Sequence, residues 1–590
     1  MIHYTYLNKV PSYGWAMVME AADIFLTVQV KNVVFWTSFI AGHVEFGCDE
    51  KALSFLEDMR LNGISPNEVT YVCCLKACGN GGGNAKKLQE LHVDITKQGF
   101  EKDTFIQNAL VDVYGRFGLL LDARNLFDEV SDRDVVTWTA LIAGYAQHGS
   151  GKEVFHYLDQ MQYEGLCPNE VTFACILQAC GNIGALKKGM EIHAAIMKGG
   201  SFRSNNVLGT ALMDMYAKCG NIAKAQAAFE DLAFQDMVSW TALIGGYAQC
   251  RQGKEAIICF QRMQLESLIP NSMTFIYVLK ACGNTKSTKK GKEIHAGIIR
   301  REENNIYGSA LVDMYARCGE LVMAQNVFDK LHEHDIVSWT ALMLGYTDHG
   351  HGDEALKCYE LSHLEGLFPN AVTFACILKA CGSIGAVDKA EEIHGEITRG
   401  KFLEKSMVLG SALIDTYAKC GVLTKAQLVF DELSVHNVVS WTSLIAGHAQ
   451  LGKHDIVFDL FHKMVGEGIK PNAVTFIVLL NSCSDAGLVN EGQLYFDAMS
   501  SYYGISPALE HFTCMVDLFG RIGQLEQAVL LVNNLPFSEH LIVWNTLLGA
   551  CKKEGDVELA RSAFEHVIQL DDMDSAAYIC IWNIYANITK

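Results

Sequence analysis

The chain of 590 residues is 50% hydrophobic, contains only eight prolines and carries a formal net charge of −20. No run of eighteen or more apolar residues occurs, so no membrane span is predicted. The negative charge argues against a polyanionic partner such as nucleic acid unless Lys and Arg gather at one surface. Of the twenty cysteines, several recur in "AKCG" and "KACG" segments, which predicts reduced, buried thiols.

The N-terminal segment shows no targeting signal. Its basic residues are Lys9 and Lys31, and it also contains Glu20 and Asp23, unlike an Arg- and Ser-rich transit peptide. These residues therefore do not indicate a cellular compartment.

From Trp36 onward the sequence is periodic. A recurring W-T pair places tryptophan at Trp36, Trp138, Trp240, Trp339 and Trp441, at spacings of 102, 102, 99 and 102 residues. Each period contains three related units, for example "VVTWTALIAGYAQHGSGKEVFHYLDQMQYEGLCPN" (35 residues), "EVTFACILQACGNIGALKKGMEIHAAIMKGGSFRSN" (36) and "NVLGTALMDMYAKCGNIAKAQAAFEDLAFQD" (31). Each unit is interpreted as one structural repeat.

Each unit shows two helical stripes. Trp138, Leu141, Ile142 and Tyr145 lie at i, i+3, i+4 and i+7, which predicts one apolar helix face. A second stripe between two glycine-containing breaks predicts a second helix. Such a hairpin cannot bury its apolar face alone, so about fifteen hairpins are predicted to stack into an all-α, right-handed solenoid from Val33 to about Leu570. The recurring tryptophan is expected in the core rather than as a platform for bases, because it lies on the apolar stripe.

The alternation of three unit lengths and the repeated "SWTALIxGY" segment resemble the pentatricopeptide repeat family, specifically the plant class whose 35-, about 36- and 31-residue units are called P, L and S. Tetratricopeptide arrays have a similar hairpin but neither feature. The resemblance implies binding of single-stranded RNA, with about one nucleotide per repeat and two side chains per repeat choosing the base.

In that family the fifth and last residues of a unit select the base. In the P units the fifth residues are Thr37, Thr139, Thr241, Thr340 and Thr442, and the last are Asn67, Asn169, Asn271, Asn370 and Asn472. In the S units the fifth residues are Asn108, Thr210, Ser309 and Ser411, and the last are Asp134, Asp236, Asp335 and Asn437.

The second residue of each unit is implied to wedge between bases. These residues are Val34, Phe105, Val136, Val207, Val238, Ile306, Val337, Val408 and Val439. The L units have apolar fifth residues, which cannot hydrogen-bond a base edge, and are interpreted as spacers. Those fifth residues are Val72, Ala174, Ile276, Ala375 and Ile477.

The terminal Asn and Asp have a structural alternative, because either side chain caps a following helix well. Serine and threonine would also serve as caps, yet none occurs at these nine positions, which favours base contact. An ionised aspartate only accepts hydrogen bonds and suits guanine or uracil, whereas asparagine also donates and suits adenine or cytosine. The fifth-position threonine has its own alternative, a solvent-facing or back-bonding role.

The resemblance adds that Thr or Ser at the fifth position favours purines and Asn favours pyrimidines. With the RNA running parallel to the protein and each L unit accepting any base, the nine readable units predict A-n-U-A-n-G-A-n-G-A-n-A-A.

No catalytic or metal site is predicted. Two H-x-E strings, at His43 and His394, lack a following Cys pair. No two cysteines of the chain have C-x-x-C spacing, and Cys74 and Cys78 come nearest to it. The zinc ligand set of the cytidine-deaminase-like domain that ends many relatives is therefore missing. His394 stands in "EIHGEI", a repeat of "EIHAAI" and "EIHAGI", and is interpreted as a repeat residue.

Both ends of the array look incomplete. We interpret residues 1–32 as a degenerate or truncated repeat, 33–541 as the repeat array, and 542–590 as part of an extension resembling the E type of this class. The leading functional hypothesis is a site-recognition factor for C-to-U RNA editing in a mitochondrion or chloroplast, without a cofactor, a membrane or enzymatic activity of its own. A deaminase or other editing factor would act in trans. The alternatives are RNA stabilisation, splicing or translation, or a protein-binding helical scaffold.

Overall fold

A computed structural model describes residues 32–82, 84–198, 205–300, 304–403, 406–533, 541–571 and 573–588. The degenerate repeat expected over 1–32 lies, apart from Asn32, outside the described residues. These described ranges contain 33 α-helices and no strand, which confirms the predicted all-α fold. The chain divides into two compact units, Met1–Tyr307 and Gly308–Lys590. The continuous array from Val33 to about Leu570 stays a prediction.

The first compact unit contains sixteen α-helices in its described part. They are α1 Val33–Glu45, α2 Asp49–Leu61, α3 Glu68–Ala77, α4 Ala85–Lys97, α5 Thr104–Arg116, α6 Leu120–Glu129, α7 Val135–Gln147, α8 Gly151–Tyr163, α9 Glu170–Ile183, α10 Leu186–Lys198, α11 Asn206–Lys218, α12 Ile222–Glu230, α13 Met237–Gln249, α14 Gly253–Leu265, α15 Ser272–Asn284 and α16 Thr288–Ile299. A π-helical turn, Cys78–Gly82, follows α3, and a 3₁₀ turn, Asn304–Tyr307, follows α16.

The second compact unit contains seventeen α-helices in its described part. They are α17 Gly308–Arg317, α18 Leu321–Phe328, α19 Ile336–Asp348, α20 Gly352–Leu364, α21 Ala371–Ile384, α22 Val387–Arg399, α23 Met407–Lys419, α24 Leu423–Glu432, α25 Val438–Gln450, α26 His454–Gly466, α27 Ala473–Ala486, α28 Val489–Ser501, α29 Leu509–Arg521, α30 Leu525–Asn533, α31 Leu541–Glu554, α32 Val557–Leu570 and α33 Ser575–Ile588.

Within each compact unit the helices form two layers. Odd-numbered helices are the first helices of the hairpins, and each packs against its own second helix and against the first helix of the next hairpin. The sequence thus builds one hairpin per repeat, and stacking buries the apolar stripes that a single hairpin would leave exposed.

The recurring tryptophan joins neighbouring repeats. All five tryptophans of the P units are buried, with 1–4% of their surface exposed, which confirms their predicted place in the core. Trp138 meets Phe127 of the preceding S unit edge to face, with ring centroids 4.7 Å apart. The Trp339–Phe328 and Trp441–Phe430 pairs repeat this arrangement at 4.5 and 4.7 Å. Each of these P units is therefore fixed to the S unit before it by an aromatic contact.

Glycine allows the closest approach between first helices. A Cβ added to Gly144 in α7 would lie 2.8 Å from the Cα of Gly115 in α5, which is backbone and cannot turn aside. Gly395, inside α22, has no atom within 4 Å of such a Cβ.

These two helical glycines should respond oppositely to the same substitution. Gly144→Ala should lower the free energy of unfolding by about 1–3 kcal/mol, because the added methyl group overpacks α7 against α5. Gly395→Ala should leave it unchanged or raise it by up to about 1 kcal/mol, because alanine is the better helix former. Denaturant midpoints of the two variants and the parent test this, and equal shifts of the same sign would contradict it.

Candidate nucleic-acid interface

Eight of the nine predicted wedge residues lie in first helices, and Ile306 lies in the 3₁₀ turn that precedes α17. Eight of the nine expose 44–77% of their surface, and Val238 is half-buried. The second residues of four L units are exposed in the same way, which the sequence pattern did not predict. They are Val69, Val171, Val372 and Val474. Exposed β-branched side chains repeated at one register form an apolar row rather than scattered surface residues.

All nine predicted last residues are N-caps of the next first helix. The Oδ1 atom of each accepts a hydrogen bond from the backbone N–H three residues on, at 2.7–3.0 Å. The structural alternative is therefore correct at every one of these positions. Capping occupies one head-group atom only, so the second atom, Nδ2 in Asn or Oδ2 in Asp, is not used by the cap. Capping and base contact are compatible.

The five P-unit asparagines keep their amide nitrogens unused inside the protein. Within the described residues no hydrogen bond from their Nδ2 groups is formed, while Oδ1 of each accepts at least two. All five residues are half-buried or exposed. The head-group atom that the cap leaves unused in these asparagines is a hydrogen-bond donor.

The S-unit aspartates present the opposite chemistry. Burial alone would raise the pKa of Asp134, but the N–H and hydroxyl of Thr137 donate to its carboxylate and the net pKa is lowered. Asp236 likewise has a lowered pKa, because hydrogen bonds from Ser239 and Asn206 outweigh its desolvation. Both carboxylates are ionised at neutral pH and can only accept hydrogen bonds.

The structure brings the two predicted base-selecting residues together in three S units. Asn108 Nδ2 lies 3.5 Å from Asp134 Oδ1, and the Ser309 hydroxyl lies 3.3 Å from Asp335 Oδ1. The Ser411 hydroxyl is 3.5 Å from Asn437 Oδ1. In the remaining S unit, the Thr210 hydroxyl donates to the carbonyl of Asn206.

In the P units the fifth and last residues are connected through a third residue, a threonine of the next L unit. Each fifth-position threonine is 7–8% exposed, and its hydroxyl lies 2.6–2.8 Å from the hydroxyl of a threonine at the start of the next L unit. Thr139, Thr241 and Thr340 also lie 2.6–2.7 Å from the carbonyl four residues earlier. Back-bonding, one of the two alternatives for these threonines, is therefore observed, and sequence reasoning missed the inter-unit contact.

Within each compact unit, cations recur at the C-terminal ends of first helices. The first helices of the four S units end at Arg116, Lys218, Arg317 and Lys419, and α29, the first helix of a later hairpin, ends at Arg521. These five residues are called the cation row. Each pairs with an aspartate four residues earlier at 2.6–2.8 Å and keeps 31–41% of its side chain exposed. Positions 2, 5, 9 and 13 of a helix share one face, so this cation row lies on the face of the wedge residues.

The sequence signal for the cation row was present in "VYGRFG", "MYAKCG", "MYARCG" and "TYAKCG". Each of these cations pairs with an aspartate on the same helix face, so the feature is a repeated ion pair on a chain whose net charge is −20.

The H-x-E histidines have structural partners. His394 Nδ1 lies 3.1 Å from the hydroxyl of Tyr417, as His92 does from Tyr114 and His193 from Tyr216 at 2.9 and 2.8 Å. Burial lowers the pKa of these three histidines. His43 bonds the carbonyl of Phe39 at 2.9 Å. His394 is a repeat residue, as predicted.

The described part of the chain contains no group of three or more His, Cys, Asp or Glu side chains placed to hold a metal ion. None of its helices is both long and apolar enough to cross a membrane. The twenty cysteines are free thiols, and burial raises the pKa of those in the core, to about 12 for Cys180.

Comparison with protein families gives two matching models. The model described as the PPR repeat family matches residues 31–80, 133–182, 235–284, 334–383 and 436–485. The model described as the PPR repeat matches residues 108–135, 309–336 and 542–571. The last match lies inside the segment interpreted as an E-type extension, so repeat-like sequence continues there.

Plant proteins match over nearly the whole chain. Two chloroplastic pentatricopeptide repeat-containing proteins of Arabidopsis thaliana are 32% and 31% identical over 96% and 97% of this chain, which spans 65% and 70% of their lengths. A mitochondrial pentatricopeptide repeat-containing protein of the same species is 32% identical over 89% of this chain and 76% of its own.

Among solved structures, the pentatricopeptide repeat protein PPR10 in complex with an 18-nucleotide psaJ RNA element aligns over 97% of this chain and 86% of that one. The TM-score is 0.51 at 18% identity, which shows the likeness of fold. Together with the repeat matches and the Arabidopsis relatives, these findings establish that the chain belongs to the pentatricopeptide repeat family.

Proposed function

We propose that this protein binds single-stranded RNA sequence-specifically and acts in organelle RNA metabolism. The observation that carries the proposal is that nine Asn and Asp side chains each cap a helix with one head-group atom and leave the other unused by the cap. Exposed apolar side chains stand beside them at the second positions. Stacked bases need apolar wedges, and base selection needs a hydrogen-bonding group of fixed polarity.

The polarity of the outward atom supports the base assignments. An Asn amide nitrogen donates and therefore pairs with the acceptor ring nitrogen of adenine or cytosine. The ionised Asp134 and Asp236 accept and pair with the ring N–H of uracil or guanine. With the fifth-position preferences implied by the family, the expected RNA remains A-n-U-A-n-G-A-n-G-A-n-A-A.

The cation row provides the sequence-independent part of the proposed binding. A helix rises 1.5 Å per residue, so a cation eleven residues from the wedge residue lies roughly 16 Å along the helix axis. At that distance the row is suited to phosphates rather than base edges. Contacts to phosphates position the RNA but do not select its bases.

The finer role proposed is site recognition for C-to-U editing, with the deaminase supplied in trans. It is supported by the alternation of P, L and S units and by the E-like C-terminal segment. The names of relatives as chloroplastic or mitochondrial support one of these organelles as the location. Sequencing organelle transcripts from a plant that lacks the protein tests this role. Loss of editing at one site is expected, whereas altered transcript ends with intact editing would favour a role in stabilisation or processing.

Asn271→Asp should change one base preference from adenine to guanine. The variant keeps the helix cap, because aspartate caps equally well, but it presents an acceptor where the wild type presents a donor. The change should amount to about 1–3 kcal/mol of discrimination, measured by fluorescence anisotropy with two RNAs that differ at that base.

Asn221→Asp is the matched control for this change. Asn221 caps α12, a second helix, through Oδ1, so its substitution alters the same chemistry and charge away from the proposed interface. Adenine preference should be unchanged in this variant. If Asn271→Asp also left the preference unchanged, Asn271 would be a cap alone.

Lys218→Gln should weaken binding equally for all RNA sequences. Removing one phosphate contact should also reduce the slope of log affinity against log salt by about 0.7. Lys188→Gln is the control, since Lys188 is similarly exposed and ion-paired but lies on the second helix α10. Titrations at several salt concentrations that gave the two variants the same slope would contradict the role of the cation row.

A further inference from the structure

The third residue of every L unit is a threonine that is fully buried. These residues are Thr70, Thr172, Thr274, Thr373 and Thr475. Each hydroxyl lies 2.7–3.2 Å from Oδ1 of the asparagine that ends the preceding P unit. The L unit thereby supplies a side-chain contact to the proposed base-selecting residue of its neighbour.

The direction of these hydrogen bonds follows from the number of hydrogens. Asn271 Oδ1 can only accept, so the single hydroxyl hydrogen of Thr274 is donated to it. The hydrogen in the 2.7 Å contact between Thr241 and Thr274 then comes from Thr241, which shares it with the carbonyl of Met237. The order of donation is Thr241 to Thr274 to Asn271, which links the fifth and last residues of the P unit.

This network fixes which end of the asparagine amide faces outward. Oδ1 of Asn271 accepts from both the backbone N–H and the hydroxyl of Thr274, each at 2.8 Å. A half-turn of the amide would place its NH₂ group against the same backbone N–H, donor facing donor, and would forfeit that bond. The Thr274 hydroxyl could then bond the amide only by accepting from the NH₂ group and donating its own hydrogen to Thr241. The outward atom is therefore Nδ2.

We propose that the third-position threonine of each L unit is a specificity-determining positioning residue. It holds the amide of the preceding asparagine with its nitrogen outward, so an L unit that reads no base itself sets the polarity with which its neighbour reads one. The inference rests on the proposed function, since it concerns the same base-selecting asparagines.

The junctions between S and P units show the contrast. Ser239, Ser338 and Ser440 occupy the third position there, and their hydroxyls donate to the backbone carbonyl of the capping residue at 2.8–2.9 Å. Asp236 and Asp335, two of those capping residues, have equivalent carboxylate oxygens, so a half-turn changes nothing. At the junction before Trp138 a threonine does donate to the side chain of the capping aspartate, at 2.9 Å. An amide, unlike a carboxylate, has two chemically different ends, so only one of its two orientations leaves the donor unused by the cap.

The test is binding of Thr274→Val and Thr274→Ser to the RNA pair that differs only in adenine or guanine opposite Asn271. Valine matches threonine in shape but cannot donate, so Asn271 Oδ1 keeps only its bond from the backbone N–H. With one of its two anchors removed, the adenine-over-guanine ratio should fall roughly fivefold, the equivalent of one lost hydrogen bond. Serine keeps the hydroxyl and should keep the ratio. Thermal unfolding of each variant confirms that it is folded.

The Asn271→Asp background distinguishes positioning from packing. A carboxylate has no amide to orient, so adding Thr274→Val to Asn271→Asp should leave the guanine preference within about twofold of the single variant. Ser440→Ala is the matched control elsewhere, because that hydroxyl donates to the backbone of Asn437. It should not alter the preference at the base opposite Asn437.

The outcomes separate the two proposals. If Asn271→Asp fails to move the preference from adenine, the base-selecting role itself is wrong. If it does move the preference while Thr274→Val keeps the wild-type ratio, or weakens both RNAs equally, the positioning role is overturned. Thr475→Val with Asn472, in the other compact unit, repeats the test should Thr274→Val fail to fold.

Discussion

The N-cap at the junction between repeats is the interaction on which the rest of the structure depends. An isolated helix leaves its first backbone N–H groups without partners, and here the last residue of one unit satisfies them for the next. The same residue therefore closes one repeat, begins another and stands at a fixed place on the surface. Regular spacing of these caps follows from regular spacing of the hairpins.

Capping also explains how a short polar side chain can discriminate between RNA bases. A side chain that moved freely would present donor and acceptor atoms alike and would not discriminate between bases. Once Oδ1 is held by the backbone, the remaining atom has one chemical character, a donor in Asn271 and an acceptor in Asp236. In the proposed function, helix stability and base selection are two consequences of one hydrogen bond.

The packing beneath the surface holds neighbouring repeats at a fixed spacing. Trp138 and its equivalents bind P units to the S units before them, and the close approach of Gly144 to Gly115 sets the spacing of neighbouring first helices. The chain is acidic overall, yet the first helix of each S unit ends in a Lys or Arg side chain.

Much of the fold could be predicted from sequence because its determinants are local. The stripe from Trp138 to Tyr145 predicts both the helix and the burial of its tryptophan, and the 102-residue period predicts the stacking. The predicted base-selecting residues were found at helix starts, where their capping role was one of the two alternatives. Base contact itself stays a prediction.

What the sequence did not reveal lies between repeats. Thr37 and Thr70 are 33 residues apart and meet only after two hairpins stack, so no periodicity within one unit indicates their contact. The burial of Thr139 was hidden for the same reason. The cation row was visible as a repeated Lys or Arg, but its shared face with the wedge residues depends on the register of each helix.

The most direct measurement of the central claim is selection of RNAs from a random pool by the purified chain, followed by sequencing of the bound fraction. The account predicts enrichment of A-n-U-A-n-G-A-n-G-A-n-A-A, with no preference at the positions opposite the L units. Binding without enrichment at the positions opposite the capping Asn and Asp residues would contradict it.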